Sequence, residues 1–293
     1  MKVMAVIGMG YVGTPAAALF ADTGEFEVIG IQRRSKRSGW KIDHINEGRN
    51  PIGGGEPGLD ELIHRVVKEK GTFRATDDYS EVQKADVVLI DVQTPTDKYH
   101  VPRYQSLKEV CEIVGKYLKT GALVCIESTV APGTTENIAR PIIEESSKMT
   151  ACRDFHLAFS YERVMVGRLL HNLQHMPRII GGITPGCAER GAELYRRIVE
   201  AEVYKTDCLT AETAKGGGER LPGREHRLRQ RDGPHMREPR ANIHTVRRFV
   251  NSLPYDPSNP AKNPYRLMMT PGAGVGGYYL PKDSWLLKYG VDN

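Results

Sequence analysis

Gly8-Met9-Gly10-Tyr11-Val12-Gly13 sets three glycines at the spacing G-x-G-x-x-G. A turn of this kind can cradle a pyrophosphate. Gly8 permits the tight bend, Gly10 lets the backbone approach the phosphates, and Gly13 lets the following helix pack closely on the preceding strand. Tyr11 and Val12 lead into that helix, whose first N–H groups and partial positive charge face the anion. In a dinucleotide site an acid is expected about 20 residues further on, where it holds the ribose 2′-hydroxyl of NAD. The sequence there reads Gln32-Arg33-Arg34-Ser35. A carboxylate would repel a 2′-phosphate, whereas Arg33 or Arg34 can pair with one. The expected cofactor is therefore NAD or NADP, with the tilt towards NADP. Two more polar turns, Gln93-Thr94-Pro95 and the stretch from Glu127 to Thr135, follow apolar runs. An open parallel sheet binds its ligands at such places, so Thr94, Pro95 and Thr129 join the cofactor-side candidates.

The elements that must position these residues are legible as alternating patterns. Apolar, β-rich runs at 3–7, 27–31, 86–90 and 122–126 predict strands, and 155–159, 178–180 and 202–204 are weaker strand candidates. Helical spacing at 14–21, 59–70, 107–118 and 185–199 falls between them. The expected fold is α/β: a Rossmann-type doubly wound parallel sheet over residues 1–205, followed by a mostly helical segment over 206–293.

Bulk properties narrow the classes. The 293 residues suit about two domains. No apolar run reaches the ~18 residues of a membrane span, and the apolar N-terminus runs into glycines with no small-residue cleavage site, so it reads as a first strand. The five cysteines are scattered without a CxxC pair, which predicts neither metal site nor disulfide framework and fits a reducing cytoplasm. Much of the net charge of +5 is local, since residues 216–240 carry seven arginines against four acids. That run has no interleaved aromatics, so no nucleic-acid partner is expected.

Six motifs then occur in a familiar order: GMGYVG at 8–13, VQTP at 92–95, ESTVAPGTT at 127–135, FSYERV at 159–164, AETAK at 211–215 and PGAGVGGYYLPKD at 271–283. With them the chain resembles the UDP-glucose/GDP-mannose dehydrogenases, in particular the UDP-N-acetylmannosamine dehydrogenase branch. The resemblance runs over 1–215 and 243–293. It implies oxidation of the C6 alcohol of a nucleotide sugar to a carboxylate in two hydride transfers, with two NAD(P)⁺ consumed, by an enzyme that dimerises through a long central helix. By the same resemblance Thr129 holds the catalytic water or alcohol and Glu162 serves thioester hydrolysis and the substrate loop. Lys215 stabilises the developing oxyanion, and Asp283 stands beside the nucleophile.

Three departures qualify what the resemblance implies. The family pattern GVGGHCLPKD reads here Gly274-Val275-Gly276-Gly277-Tyr278-Tyr279-Leu280-Pro281-Lys282-Asp283, so Tyr279 occupies the seat of the nucleophilic cysteine. A phenol of pKa ~10 is a poor and bulky substitute for a thiol, and the chain as written is expected to be inactive. Residues 216–240 hold three prolines and five glycines where the family has its helix. One set of codons for Gly217 onward, read one base later, gives V-E-N-A-Y-R-D-V-N-I-A-F-A-N-E, the family's helix. A pair of compensating frameshifts is therefore expected, and no continuous helix across 216–240. Asn293 falls where the family continues into a UDP-binding domain. Tyr161 and Val166 also stand where the family's substrate loop has prolines, which is expected to loosen that loop.

Overall fold

The structure, a computed structural model, describes residues 1–218 apart from Gly54 and His100, together with the helix Ile243–Val250 and Ser252. The expectations attached to residues 219–240, to Tyr279 and to Asp283 lie outside the described residues.

Eight strands form one sheet: β1 (Lys2–Ile7), β2 (Phe26–Ile31), β3 (Phe73–Thr76), β4 (Val87–Ile90), β5 (Leu123–Ile126), β6 (His156–Phe159), β7 (Arg178–Gly182) and β8 (Val203–Asp207). Their order is β3-β2-β1-β4-β5-β6-β7-β8. From β3 to β6 every pairing is parallel. The expected parallel sheet changes hand at its far edge, because β7 runs antiparallel to β6 and β8 follows β7. A parallel pair must be joined by a crossover. The chain instead leaves β6 across the carboxyl edge, forms a short helix over Leu169–His175 there, and enters β7 from the same edge.

Side chains alternate between the two faces of each strand. Met4 and Val6 of β1, Val87 and Leu89 of β4, and Leu123 and Cys125 of β5 feed one buried cluster. Ala5 and Ile7, Val88 and Ile90, and Val124 and Ile126 feed the other. Both faces are covered, which explains why β4 and β5 read as unbroken apolar runs. Helix α1 (Gly13–Asp22) covers the first face. On it lies α3 (Leu59–His64), which passes into a wider π-helical turn at Arg65–Glu69; α2 (Trp40–Asn46) precedes it in the chain. Helices α4 (Gln105–Tyr117) and α5 (Arg140–Ser147) cover the second face. The helix at Leu169–His175 is α6, and α7 (Pro185–Tyr195) joins β7 to β8. Helix α8 (Cys208–Gly218) adds Cys208, Ala211 and Ala214 to the second cluster, and α9 (Ile243–Val250) adds Val246 and Phe249. Helix α8 thus continues through the first three glycines of the segment 216–240. Among the described residues no helix is long and apolar enough to cross a membrane.

The register matters most for function. Ile7 pairs with Ile31 and Ile90, Ile90 with Ile126, and Ile126 with Phe159. One row of residues therefore ends β2, β1, β4, β5 and β6 together. The next residue on each strand, Gln32, Gly8, Asp91, Glu127 and Ser160, lines the carboxyl edge, where open α/β sheets place their ligands.

Candidate functional site

The glycine turn has the geometry its spacing predicts. Gly8 has φ +111°, a left-handed conformation, and a Cβ there would stand 2.3 Å from the Asp91 carbonyl oxygen. A Cβ on Gly13 would stand 2.2 Å from the Gly8 carbonyl oxygen, so both glycines are demanded by backbone packed against backbone. Gly10 differs: a Cβ there meets nothing within 4 Å. The glycine that the fold does not require thus faces open space, as a backbone meant to touch a ligand should. Helix α1 starts there with no side-chain cap at Val12 and no acid in its first turn, which leaves its N-terminal donors for an anion. Tyr11 is partly exposed at the mouth of the turn.

Gln32 stands where a ribose-binding acid is expected. Its Oε1 accepts the Met9 N–H at 3.0 Å and its Nε2 donates to Ser38 Oγ at 3.1 Å. Of the two arginines that follow, Arg34 donates to Asp77 at 2.9 Å and to Asp43 at 3.5 Å, so it is already engaged with two carboxylates. Arg33 is exposed. A cation that the sequence did not single out touches the turn: Lys41 Nζ donates to the Met9 carbonyl at 2.7 Å, and burial lowers its pKa.

The two other loops are stitched to each other. Thr94 Oγ1 donates to the Thr129 carbonyl at 2.6 Å, and Ser128 Oγ donates to the Val92 carbonyl at 2.7 Å. Both threonines are buried, while Pro95 is exposed. The Ala131 N–H donates to the Tyr104 hydroxyl at 2.7 Å. Glu212 of α8, inside the AETAK motif but not among the sequence candidates, clamps the end of this loop. Its carboxyl accepts the Gly133 N–H at 2.6 Å, the Thr135 N–H at 2.8 Å and the Thr135 hydroxyl at 2.7 Å.

Burial pushes Glu212 up to about 7 from an ordinary 4.5, against the lowering by these donors. A carboxyl raised on folding favours the folded state most below its unfolded pKa and loses that contribution as pH rises through the folded value. Between about pH 4.5 and pH 7 this group should cost the fold about 3 kcal/mol. Urea unfolding of the wild type and Glu212→Gln at both ends of that window measures it. The variant should lose that part of the slope, and an unchanged slope would refute the assignment.

Glu162 and Lys215, distant in sequence, meet in the interior. Lys215 Nζ donates to the Glu162 carbonyl at 3.1 Å and lies 3.4 Å from its Oε2, with both side chains 5% exposed. The Tyr161 ring centroid is 5.7 Å from the ammonium. Tyr161 is itself buried and accepts a hydrogen bond from Arg163, whereas Val166 is exposed. Glu212 and Lys215 are three residues apart on α8 and share one face. Through that face α8 holds the 127–135 loop with one residue and the 159–164 loop with the other.

A second buried ionic group, unmarked by any local pattern, lies at the same edge. Arg178, the first residue of β7, pairs with Glu127 Oε1 and donates through Nε to Ser160 Oγ at 2.7 Å. Tyr195 of α7 donates to the same Glu127 oxygen at 2.7 Å, and the guanidinium lies 4.3 Å from its ring centroid. The reversal of β7 is what brings Arg178 here, since its N-terminal end lies at the edge where β4, β5 and β6 finish.

Comparison with known proteins identifies the relatives of this chain. The model of the UDP-glucose/GDP-mannose dehydrogenase family, NAD binding domain, matches residues 1–199. UDP-N-acetyl-D-mannosamine dehydrogenase of Pyrococcus horikoshii is 33% identical over 284 residues, 97% of this chain and 63% of that protein. The protein of the same name from Campylobacter jejuni is 32% identical over 291 residues, 97% of this chain and 66% of that protein. Among solved structures, the NDP-N-acetyl-D-galactosaminuronic acid dehydrogenase from Methanosarcina mazei Go1 superposes with a TM-score of 0.79 at 42% identity, covering 100% of this chain and 61% of that one. The chain thus spans 61% to 66% of the length of these relatives.

Proposed function

The chain belongs to the UDP-glucose/GDP-mannose dehydrogenase family, and from that premise we propose that it follows the plan of an NAD(P)-dependent nucleotide-sugar 6-dehydrogenase. The first candidate substrate is UDP-N-acetylmannosamine, the sugar nucleotide in the names of the curated relatives. The observation that carries this reading is the convergence at one sheet edge of the Gly8–Gly13 turn and the buried Glu162–Lys215 pair. A bound NAD(P)⁺ would supply the hydride acceptor. The open space over Gly10 and the uncapped start of α1 fit its pyrophosphate. Thr94 and Thr129, tied to each other, position the loops beside it. Lys215, buried and held by Glu162, suits an oxyanion that develops during oxidation, because a fixed charge in a water-poor site needs no reorganisation. Glu162 is placed to orient that ammonium and, in the family's scheme, to serve hydrolysis.

A second reading rests on one residue. With Tyr279 in the cysteine seat, the chain as written binds dinucleotide without completing the reaction. Titration with NADPH and NADH, followed by energy transfer from the protein, tests the shared part. Both should bind, NADPH the more tightly, because Gln32 carries no charge to repel a 2′-phosphate and Arg33 is available to meet it. Failure of both to bind overturns the reading. A strong preference for NADH overturns only the role given to Arg33 and Arg34.

A further inference from the structure

Two carboxyls follow the central row of the sheet on adjacent strands, Asp91 after β4 and Glu127 after β5. Their backbones are fixed: the Asp91 N–H donates to the Ile7 carbonyl at 2.8 Å and the Glu127 N–H to the Ile90 carbonyl at 3.0 Å. They stand side by side, one residue beyond the paired Ile90 and Ile126, so both side chains leave the same face of the sheet. Arg178 and Tyr195 both address Glu127 Oε1. Of the other oxygens, Asp91 Oδ2 and Glu127 Oε2 are enclosed, and among the described residues neither receives a hydrogen bond. An acceptor left bare in the interior is costly, and more so if it is charged.

We propose that one proton shared between Asp91 Oδ2 and Glu127 Oε2 joins the two strand ends, making these carboxyls the positioning residues of the dinucleotide site. The proton turns two orphaned acceptors into one donor–acceptor pair. It also balances charge. The groups facing the pair are Arg178 from β7, Glu162 from the loop after β6, Tyr195 from α7 and Cys125 from β5. Glu162 is matched by Lys215, so among the described residues Arg178 is the one cation left for two carboxyls. With one proton the group is neutral; without it, a net negative charge is buried. Burial and the neighbouring Glu127 push the Asp91 carboxyl well above the ordinary range, in the same sense.

The pair bears on the cofactor through backbone contacts already described. The Asp91 carbonyl abuts Gly8, and Asp91 Cβ lies 3.3 Å from where a Gly13 Cβ would stand. Asp91 opens the loop that carries Thr94, and Glu127 opens the loop that carries Thr129. Repulsion between two ionised carboxyls would press on the glycine turn and part the two loops.

Infrared spectroscopy of the ligand-free protein at about pH 9, where ordinary carboxyls and Glu212 are ionised, tests the proton directly. The wild type should show the carbonyl stretch of a protonated carboxylic acid, and Asp91→Asn should remove it. If that variant does not fold, Glu127→Gln should remove or shift the same band. Absence of the band in the wild type, or its persistence unchanged in either variant, overturns the proposal. A second arm reads NADPH affinity and rests on the dinucleotide reading, which the infrared arm does not. Asparagine keeps a donor to Glu127 at every pH, so Asp91→Asn should bind NADPH at least ~10-fold more tightly than Asp91→Ala, about 1.4 kcal/mol. Equal binding by the two variants would refute the positioning role even if the proton is present.

Discussion

Incubated with UDP-N-acetylmannosamine and either NAD⁺ or NADP⁺, the purified chain should produce no uronate above background. In the family's scheme a cysteine adds to the intermediate aldehyde, and loss of hydride from that adduct gives a thioester. Tyr279 offers a phenol of pKa ~10 in its place, largely protonated at neutral pH and on a larger ring. Losing a covalent nucleophile costs on the order of 10⁴-fold or more in other enzymes. From an ordinary rate of ~1 s⁻¹, that leaves a turnover too slow to follow by absorbance. Turnover at ~1 s⁻¹ or faster would refute the prediction. Tyr279→Cys separates the causes. It should not restore the full rate, because Tyr278 also stands in the histidine seat and residues 216–240 lack the apolar face of the family's helix. Full rescue would mean that the nucleophile is the whole lesion.

The largest stability effect is expected at Arg178. Arg178→Leu should destabilise the fold by about 3–5 kcal/mol, since it leaves Glu127 buried beside Asp91 with no cation. Set against the ~5–15 kcal/mol of a whole domain, that is enough to unfold much of the population on mild heating. Removing both partners should cost less than removing the arginine alone, because the penalty lies in the charge left behind. Urea unfolding of Arg178→Leu, Glu127→Gln and the double variant gives the coupling directly. A cost below ~1 kcal/mol for Arg178→Leu would show that water reaches the site and that the ion pair is ordinary.

The central strands and the glycine turn are legible in the sequence because both faces of β1, β4 and β5 are buried and their apolar runs are unbroken. β3 is not legible: four residues, Phe-Arg-Ala-Thr, carry too short a pattern. Nor does any local signal mark the reversal of β7, since Arg178-Ile179-Ile180-Gly181-Gly182 would read the same in either direction. Thr129, Glu162 and Lys215 are reached through family motifs. Asp91, Glu127, Arg178 and Glu212 escape because each has its partners tens of residues away, where periodicity carries no information. The one available hint is chemical: an acid directly after a fully apolar strand, as at Asp91 and Glu127, must find a partner.

Gly10 allows the most direct test of the dinucleotide site, because folding and binding make opposite demands there. It is not among the glycines with positive φ, and a Cβ on it meets nothing within 4 Å. Gly10→Ala should therefore leave the melting temperature within about 2 °C of the wild type. In the complex the added methyl would stand where the pyrophosphate approaches the backbone. Calorimetric titration of the two proteins with NADPH is the decisive measurement. The predicted result is a Kd raised at least ~10-fold, about 1.4 kcal/mol, in a variant that is otherwise as stable as the parent. An unchanged Kd would contradict the assignment of the Gly8–Gly13 turn as the dinucleotide site.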